Sequence, residues 1–180
     1  MTSRNKPSVN QHKVVLLIVD VQKGLFKKST PIYQAEKLLE NINTLVDRAH
    51  RAGATVFFVQ HSDKKTLAKG SDGWRLHPRL HPLDIDCIIP KRHVNAFEDT
   101  VLEEELNSRG VGTLVVTGLV TYACVRATCI GAKKLGYRVI LARDGHSNYS
   151  KHAAQVIEDW NEKLSVGIVE VKSTSEIEFG

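Results

Sequence analysis

No apolar run in this 180-residue sequence is longer than about six residues, as in Val14 to Val19, whereas a bilayer-spanning helix needs roughly 20. A helical membrane span is therefore excluded. Residues 1 to 12 (MTSRNKPSVNQH) lack the apolar centre of a secretory signal, so they read as a loose N-terminal arm and the expected location is cytoplasmic. Cysteine is scarce. Cys87, Cys124 and Cys129 are the three present, an odd number without metal-type spacing. That argues against a disulfide framework, suits a reducing compartment and leaves at least one thiol free. Internal repeats and low-complexity segments are absent, and no phosphate-cradling Gly-x-Gly-x-x-Gly follows the first apolar run, which weighs against a nucleotide-binding domain. A basic stripe with interleaved aromatic residues is also missing. The net charge is +5 and the pI about 9.1, but the basic residues are scattered among acidic ones, so no nucleic-acid partner is expected.

What the sequence does contain is 42% apolar residues in a length suited to one substantial core, so residues 1–180 are expected to form a single domain. Apolar runs alternate with amphipathic stretches from end to end. This is the pattern of an α/β protein with a parallel sheet covered by helices on both faces. Val14 to Val19 predicts a strand buried on both faces and ending in Asp20. Leu38, Leu39, Ile42, Leu45, Val46 and Ala49 follow helical spacing, with Gly53 as the stop. Thr55 to Val59 and Cys87 to Ile89 predict the next strands, separated by a long polar stretch from His61 to Asp86. Thr100 and Glu103 have capping-box spacing before a helix closed by Gly110. Thr113 to Thr117 is a further buried strand, Cys124 to Leu135 a helix of small residues, and Arg138 to Ala142 another strand. Ser150 is placed to cap a last helix carrying Ala153, Ile157, Trp160 and Leu164, before a final strand near Val166 to Val171.

Ligands in open parallel sheets bind beyond the carboxyl ends of the strands. Asp20, Gln60, His61, Lys91, Arg143 and Asp144 stand at such ends, and Cys124 follows the strand before it. Any one of these has an ordinary structural explanation. Together, Asp20, Lys91 and Cys124 form an acid, a cation and a thiol arriving from separate strands. In the first turn of a helix, Cys124 would find free N–H groups and a helix dipole that favour a thiolate, and an ammonium at Lys91 would lower its pKa further. Asp20 would take the thiol proton and return it to a departing amine. The backbone N–H groups of Ala123 and Cys124 would receive an oxyanion.

Three segments, Asp20-Val21-Gln22, Lys91 with Asn95-Ala96-Phe97, and Gly118-Leu119-Val120-Thr121-Tyr122-Ala123-Cys124-Val125, closely resemble the isochorismatase-like cysteine hydrolases, a superfamily that includes nicotinamidases. The resemblance extends from about Val14 to Leu164. It implies a three-layer, doubly wound, six-stranded parallel sheet in the order 3-2-1-4-5-6, and a catalytic triad of Asp20, Lys91 and Cys124. It also implies a cis peptide at Val120-Thr121 within the oxyanion hole of Val120, Thr121, Ala123 and Cys124, and an assembly of two or more copies. Substrate-binding candidates are Phe26, Gln60, Trp74, Asn95, Thr121 and Tyr122, which lie in the loops and turns around the triad. Nicotinamidases typically carry an Asp-x-His pair and a further His that bind a metal. Here the stretch reads Gln60-His61-Ser62-Asp63, and prolines follow His77 and His81, so no metal or other cofactor is expected. The presence of Cys124 favours a thioester route to a small amide- or ureide-like substrate. The alternatives are a metal-assisted nicotinamidase, vinyl-ether hydrolysis of isochorismate, or a redox-sensing or binding module built on Cys124.

Overall fold

Every apolar run that predicts a strand becomes one in the computed structural model, which describes residues 13–180; the proposed N-terminal arm, residues 1–12, lies outside the described residues. The strands are β1 (Lys13–Val19), β2 (Val56–His61), β3 (Cys87–Lys91), β4 (Val111–Leu119), β5 (Arg138–Ser147) and β6 (Glu170–Lys172). They make one six-stranded parallel sheet in the order β3-β2-β1-β4-β5-β6. The helices are α1 (Ala35–Arg51), α2 (Leu102–Ser108), α3 (Arg126–Lys134) and α4 (Ala153–Ser165).

The alternation of side chains along a strand explains why β1 is apolar at successive positions. Val15, Leu17 and Val19 point into a core shared with Leu102 and Leu106 of α2, Cys129 and Ala132 of α3 and Leu164 of α4. Leu16 and Ile18 point the other way, into a core with Leu38, Leu39, Ile42 and Leu45 of α1 and with Ile177 and Phe179 near the C-terminus. Burying each of these large side chains contributes about 1.5–3 kcal/mol, so both faces of the sheet are held independently.

Several local expectations change. The Thr100–Glu103 capping box does not form. Thr100 instead donates its hydroxyl to the Ala96 carbonyl (2.6 Å) and accepts from the Leu102 N–H (3.3 Å), so it fastens the start of α2 to the preceding loop. The last strand is only Glu170–Lys172, because a turn at Gly167 takes up the chain before it. Ser150 sits ahead of α4, where its hydroxyl accepts from the His152 N–H (3.2 Å) and its carbonyl from the Ala153 N–H (3.2 Å). β5 runs well past the expected Ala142. Opposite β4, Val116 pairs with Leu141 but Gly118 pairs with His146, so the chain bulges between Leu141 and His146 before rejoining the sheet.

The strand order reverses between β1 and β4, so the crevice of this sheet opens where Asp20 leaves β1 and the chain leaves β4. Two backbone features shape that point. Asp20 has φ of 54°, a left-handed conformation uncommon for a residue with a side chain. On β4, opposite Val19, Gly118 has φ of 117°, and a Cβ there would lie 2.1 Å from the Val19 carbonyl oxygen and 2.7 Å from the Val19 nitrogen. Backbone atoms of two hydrogen-bonded central strands cannot move apart cheaply. Gly118→Ala is therefore expected to destabilise the fold by about 2–4 kcal/mol, read as a lower urea midpoint at unchanged slope; an unchanged midpoint would refute the close approach.

Candidate active site

Lys91 is the last residue of β3, two strands from β1, or roughly 10 Å at normal strand spacing. Its long side chain crosses above the end of β2 and is completely shielded from solvent. The Nζ lies 2.9 Å from Asp20 Oδ2, donates to Cys124 Sγ at 3.3 Å and to the His93 carbonyl at 3.0 Å, and is 3.0 Å from His61 Nδ1. An ammonium has three protons. Four acceptors surround it, so the groups share one cation. Asp20 Oδ1 has no hydrogen bond in the resting structure, which leaves it as the carboxylate oxygen available to a neighbouring proton.

Burial sets the protonation states. It pushes the Asp20 carboxyl above the usual carboxylate range, against the opposing pull of Lys91. It also pushes the Cys124 thiol up to about 12, with the Asp20 carboxylate adding to the rise and Lys91 offsetting only part of it. This corrects the expectation of a depressed thiol pKa: the ammonium is present, but desolvation and the adjacent carboxylate outweigh it. Cys124 rests as a thiol beside the Asp20 carboxyl. His61 is held neutral by burial and by Lys91, consistent with its Nδ1 accepting from that ammonium.

Cys124 lies in a wide, π-type helical turn, Thr121–Val125, that leads into α3. The cis peptide is at Leu119–Val120, one bond before the expected Val120–Thr121, because the chain changes direction on leaving β4 and Val120 is already an extended link into the turn. The Val120 carbonyl accepts from both the Ala123 N–H (3.1 Å) and the Val125 N–H (3.3 Å). The Ala123 N–H is thus engaged rather than open to an oxyanion, which leaves the Cys124 N–H as the candidate of the two expected donors.

The substrate-binding candidates separate. Thr121 is sealed under the turn, with Oγ1 2.9 Å from His146 Nδ1, so its hydroxyl is committed inward. Asn95 packs its amide against Gly131 of α3, where a Cβ would lie 2.5 Å from Oδ1, and also accepts from the Phe97 N–H (3.1 Å). Those contacts fasten the 93–100 loop to α3. Gln60 Nε2 donates to the Trp74 carbonyl (3.0 Å), and the Trp74 indole donates to Ser62 Oγ (3.0 Å), so both hold the long loop after β2. Half-buried Phe26 meets His77 at a ring separation of 4.4 Å, and half-buried Tyr122 meets Tyr149 edge-on at 6.5 Å. A cavity of about 390 Å³ beside Lys91 is lined by Ser62, Lys69, Arg92, His93 and Asp99. Arg143 and Asp144 do not join the triad; Arg143 pairs with Glu158, and Asp144 accepts from Thr174.

A metal site of the nicotinamidase kind does not fit this donor set. His61 turns to an ammonium, the His77 ring packs on Phe26 with Nδ1 accepting from the Arg79 N–H (3.3 Å), and His81 is exposed. Among the described residues no group of three or more His, Cys, Asp and Glu side chains is arranged to hold a metal ion. Gln22 is a residue whose role the sequence did not disclose. Its side chain accepts from the His61 N–H (2.9 Å) and donates to the carbonyls of His61 (2.9 Å) and Trp74 (2.7 Å), clamping β2 and the long loop over the site. Only the Asp20-Val21-Gln22 motif hinted at it.

A doubly wound sheet with an acid, an ammonium and a thiol at its switch point places the molecule in the class of α/β proteins with a cysteine-centred site. The sequence matches the Isochorismatase domain family over residues 14–160, and the chain belongs to that family. Streptothricin hydrolase of Streptomyces noursei is 34% identical over 146 residues, 80% of this chain and 53% of that protein. The chain thus spans about half the length of that relative. Nicotinamidase 3 of Arabidopsis thaliana is 26% identical over 162 residues, covering 81% of this chain and 79% of the relative. A crystal structure of an isochorismatase family protein superposes with a TM-score of 0.85 at 30% identity, covering 91% of this chain and all of the other. No helix among the described residues is long and apolar enough to cross a membrane.

With a thiol pKa near 12, iodoacetamide labelling of Cys124, followed by peptide mass spectrometry, is expected to accelerate steadily from pH 6 to pH 10 without a plateau. Asp20→Asn removes an anion that holds the proton on sulfur, so labelling at pH 8 should become faster; Lys91→Ala should slow it. Equal rates at pH 6 and pH 9 in the unmodified chain would show a resting thiolate and reverse this assignment.

Proposed function

We propose that this chain is a cysteine hydrolase that cleaves a carbon–nitrogen bond of a small amide- or ureide-like substrate through a thioester on Cys124, without a metal. The observation that carries this reading is the meeting of Asp20, at the end of β1, and Cys124, in the turn after β4, at the buried ammonium of Lys91 from the end of β3. The hydrolase and amidase names of its relatives support the same class of chemistry.

Because the thiol is protonated at rest, attack is coupled to proton transfer. As Sγ bonds to the substrate carbonyl carbon, the thiol proton passes to Asp20 Oδ1. Lys91 balances the negative charge that the site carries throughout, and the Cys124 N–H faces the developing oxyanion. Collapse of the tetrahedral intermediate breaks the C–N bond, and Asp20 returns the proton to the departing nitrogen. Water then adds to the thioester, giving a proton to Asp20. The S–C bond breaks, the proton goes back to sulfur, and the acid product leaves. A raised carboxyl pKa suits this task, since Asp20 must hold a proton between two steps near neutral pH.

The test is a panel of small amides, ureides and carbamates, nicotinamide among them, followed by ammonia release and intact-protein mass. An acyl adduct on Cys124 with ammonia release is expected, and Cys124→Ala should lose about 10³-fold or more in turnover. Treatment with a chelator should leave the rate unchanged. Full activity in Cys124→Ala would refute the thioester route, and loss of activity on chelation would refute metal independence.

A further inference from the structure

Beneath the nucleophile turn lies a polar chain that the catalytic steps do not use. Thr121, the first residue of the turn, is 1% exposed, His146 of β5 is 3% exposed and Asn161 of α4 is 2% exposed. Thr121 Oγ1 and His146 Nδ1 are 2.9 Å apart, and His146 Nε2 and Asn161 Oδ1 are 2.9 Å apart. The directions of these bonds follow from the ends of the chain. Asn161 Nδ2 donates to the Arg143 carbonyl (3.2 Å), so its Oδ1 must accept from His146 Nε2–H. That leaves a lone pair on Nδ1, to which the Thr121 hydroxyl donates. Asn148 Nδ2 in turn donates to Thr121 Oγ1 (3.5 Å), and Asn148 Oδ1 accepts from the Ser150 N–H (3.0 Å). Burial keeps the imidazole neutral, pushing its pKa down to about 4, so the arrangement holds across the physiological range.

We propose that His146 is a positioning residue, which, through the Thr121 hydroxyl, fixes the Thr121–Val125 turn and with it the direction of the Cys124 N–H toward the reacting carbonyl. The inference rests on the thioester reading above. His146 and Thr121 are closed to solvent, so neither touches substrate; they act on the turn that carries the nucleophile. The bulge in β5 makes this possible, since it sets His146 beside Gly118 in the sheet, three residues before the turn begins at Thr121. Gly145 belongs to the same device. A Cβ there would lie 2.7 Å from Ala142 Cβ and 3.2 Å from Thr117 Cγ2, so the bulge closes only around a residue without a side chain.

Two reagents that reach the same sulfur separate this role from simple folding. p-Nitrophenyl acetate acylates the thiol through a tetrahedral oxyanion: the S–C bond forms, the C–O bond to p-nitrophenolate breaks, and the thiol proton goes to Asp20. Iodoacetamide alkylates by direct displacement and forms no oxyanion. In Thr121→Val and His146→Ala, acylation of Cys124 is expected to fall on the order of tenfold to a hundredfold, with iodoacetamide labelling within about twofold of the unmodified chain. Thr121→Ser, which keeps the hydroxyl, should recover most of the acylation rate. Acylation unchanged in both Thr121→Val and His146→Ala would overturn the positioning role, as would a parallel fall in acylation and alkylation or the absence of recovery in Thr121→Ser. If the unmodified chain alkylates at Cys124 but is never acylated, the thioester reading itself fails, and this inference with it.

Discussion

A single buried ammonium organises the site. The Lys91 side chain has no exposure to water, and a cation so placed is stable only when paired and hydrogen-bonded, because losing its partner costs about 3–5 kcal/mol. It obtains this pairing from Asp20 at the end of β1, while Cys124 after β4, His61 at the end of β2 and the His93 carbonyl complete its surroundings. Three neighbouring strand ends and the turn after β4 are therefore held in register by one charge. The long loop after β2 is fixed in turn by Gln22 and Gln60, which bind its backbone at Trp74.

The same burial that makes the ion pair necessary also governs the chemistry. Desolvation raises both the Asp20 carboxyl and the Cys124 thiol, so the resting site is a thiol beside an acceptor rather than a preformed thiolate. In the proposed reaction, proton transfer and sulfur attack on a carbonyl substrate happen together. This separates it from the redox-sensor alternative, which relies on a low-pKa, accessible thiolate. The left-handed Asp20 and the contact of Gly118 with Val19 show how closely β1 and β4 are drawn together to achieve the arrangement.

Much of this was legible in the sequence. The continuous apolar run Val14 to Val19 reads as a strand buried on both faces, and the spacing of Leu38 to Ala49 as a helix, and the structure has both. Parallel α/β sheets put functional groups at strand ends, so Asp20, Lys91 and Cys124 stood out by position before any geometry was known. Less legible were the candidate pocket residues. Thr121, Asn95, Gln60 and Trp74 were placed near the site by chain proximity, yet their polar atoms are directed into the scaffold.

The sequence by itself determined the alternation of strands and helices and the identity of the three converging groups, because hydrophobic periodicity and residue type are local properties. The tertiary structure decided the rest: the raised pKa of Cys124, the engagement of the Ala123 N–H, the turn of His61 toward Lys91, and the bulge that brings His146 under Thr121. Each of these depends on desolvation or on a contact between residues far apart in the chain, and neither leaves a periodic trace in the order of the amino acids.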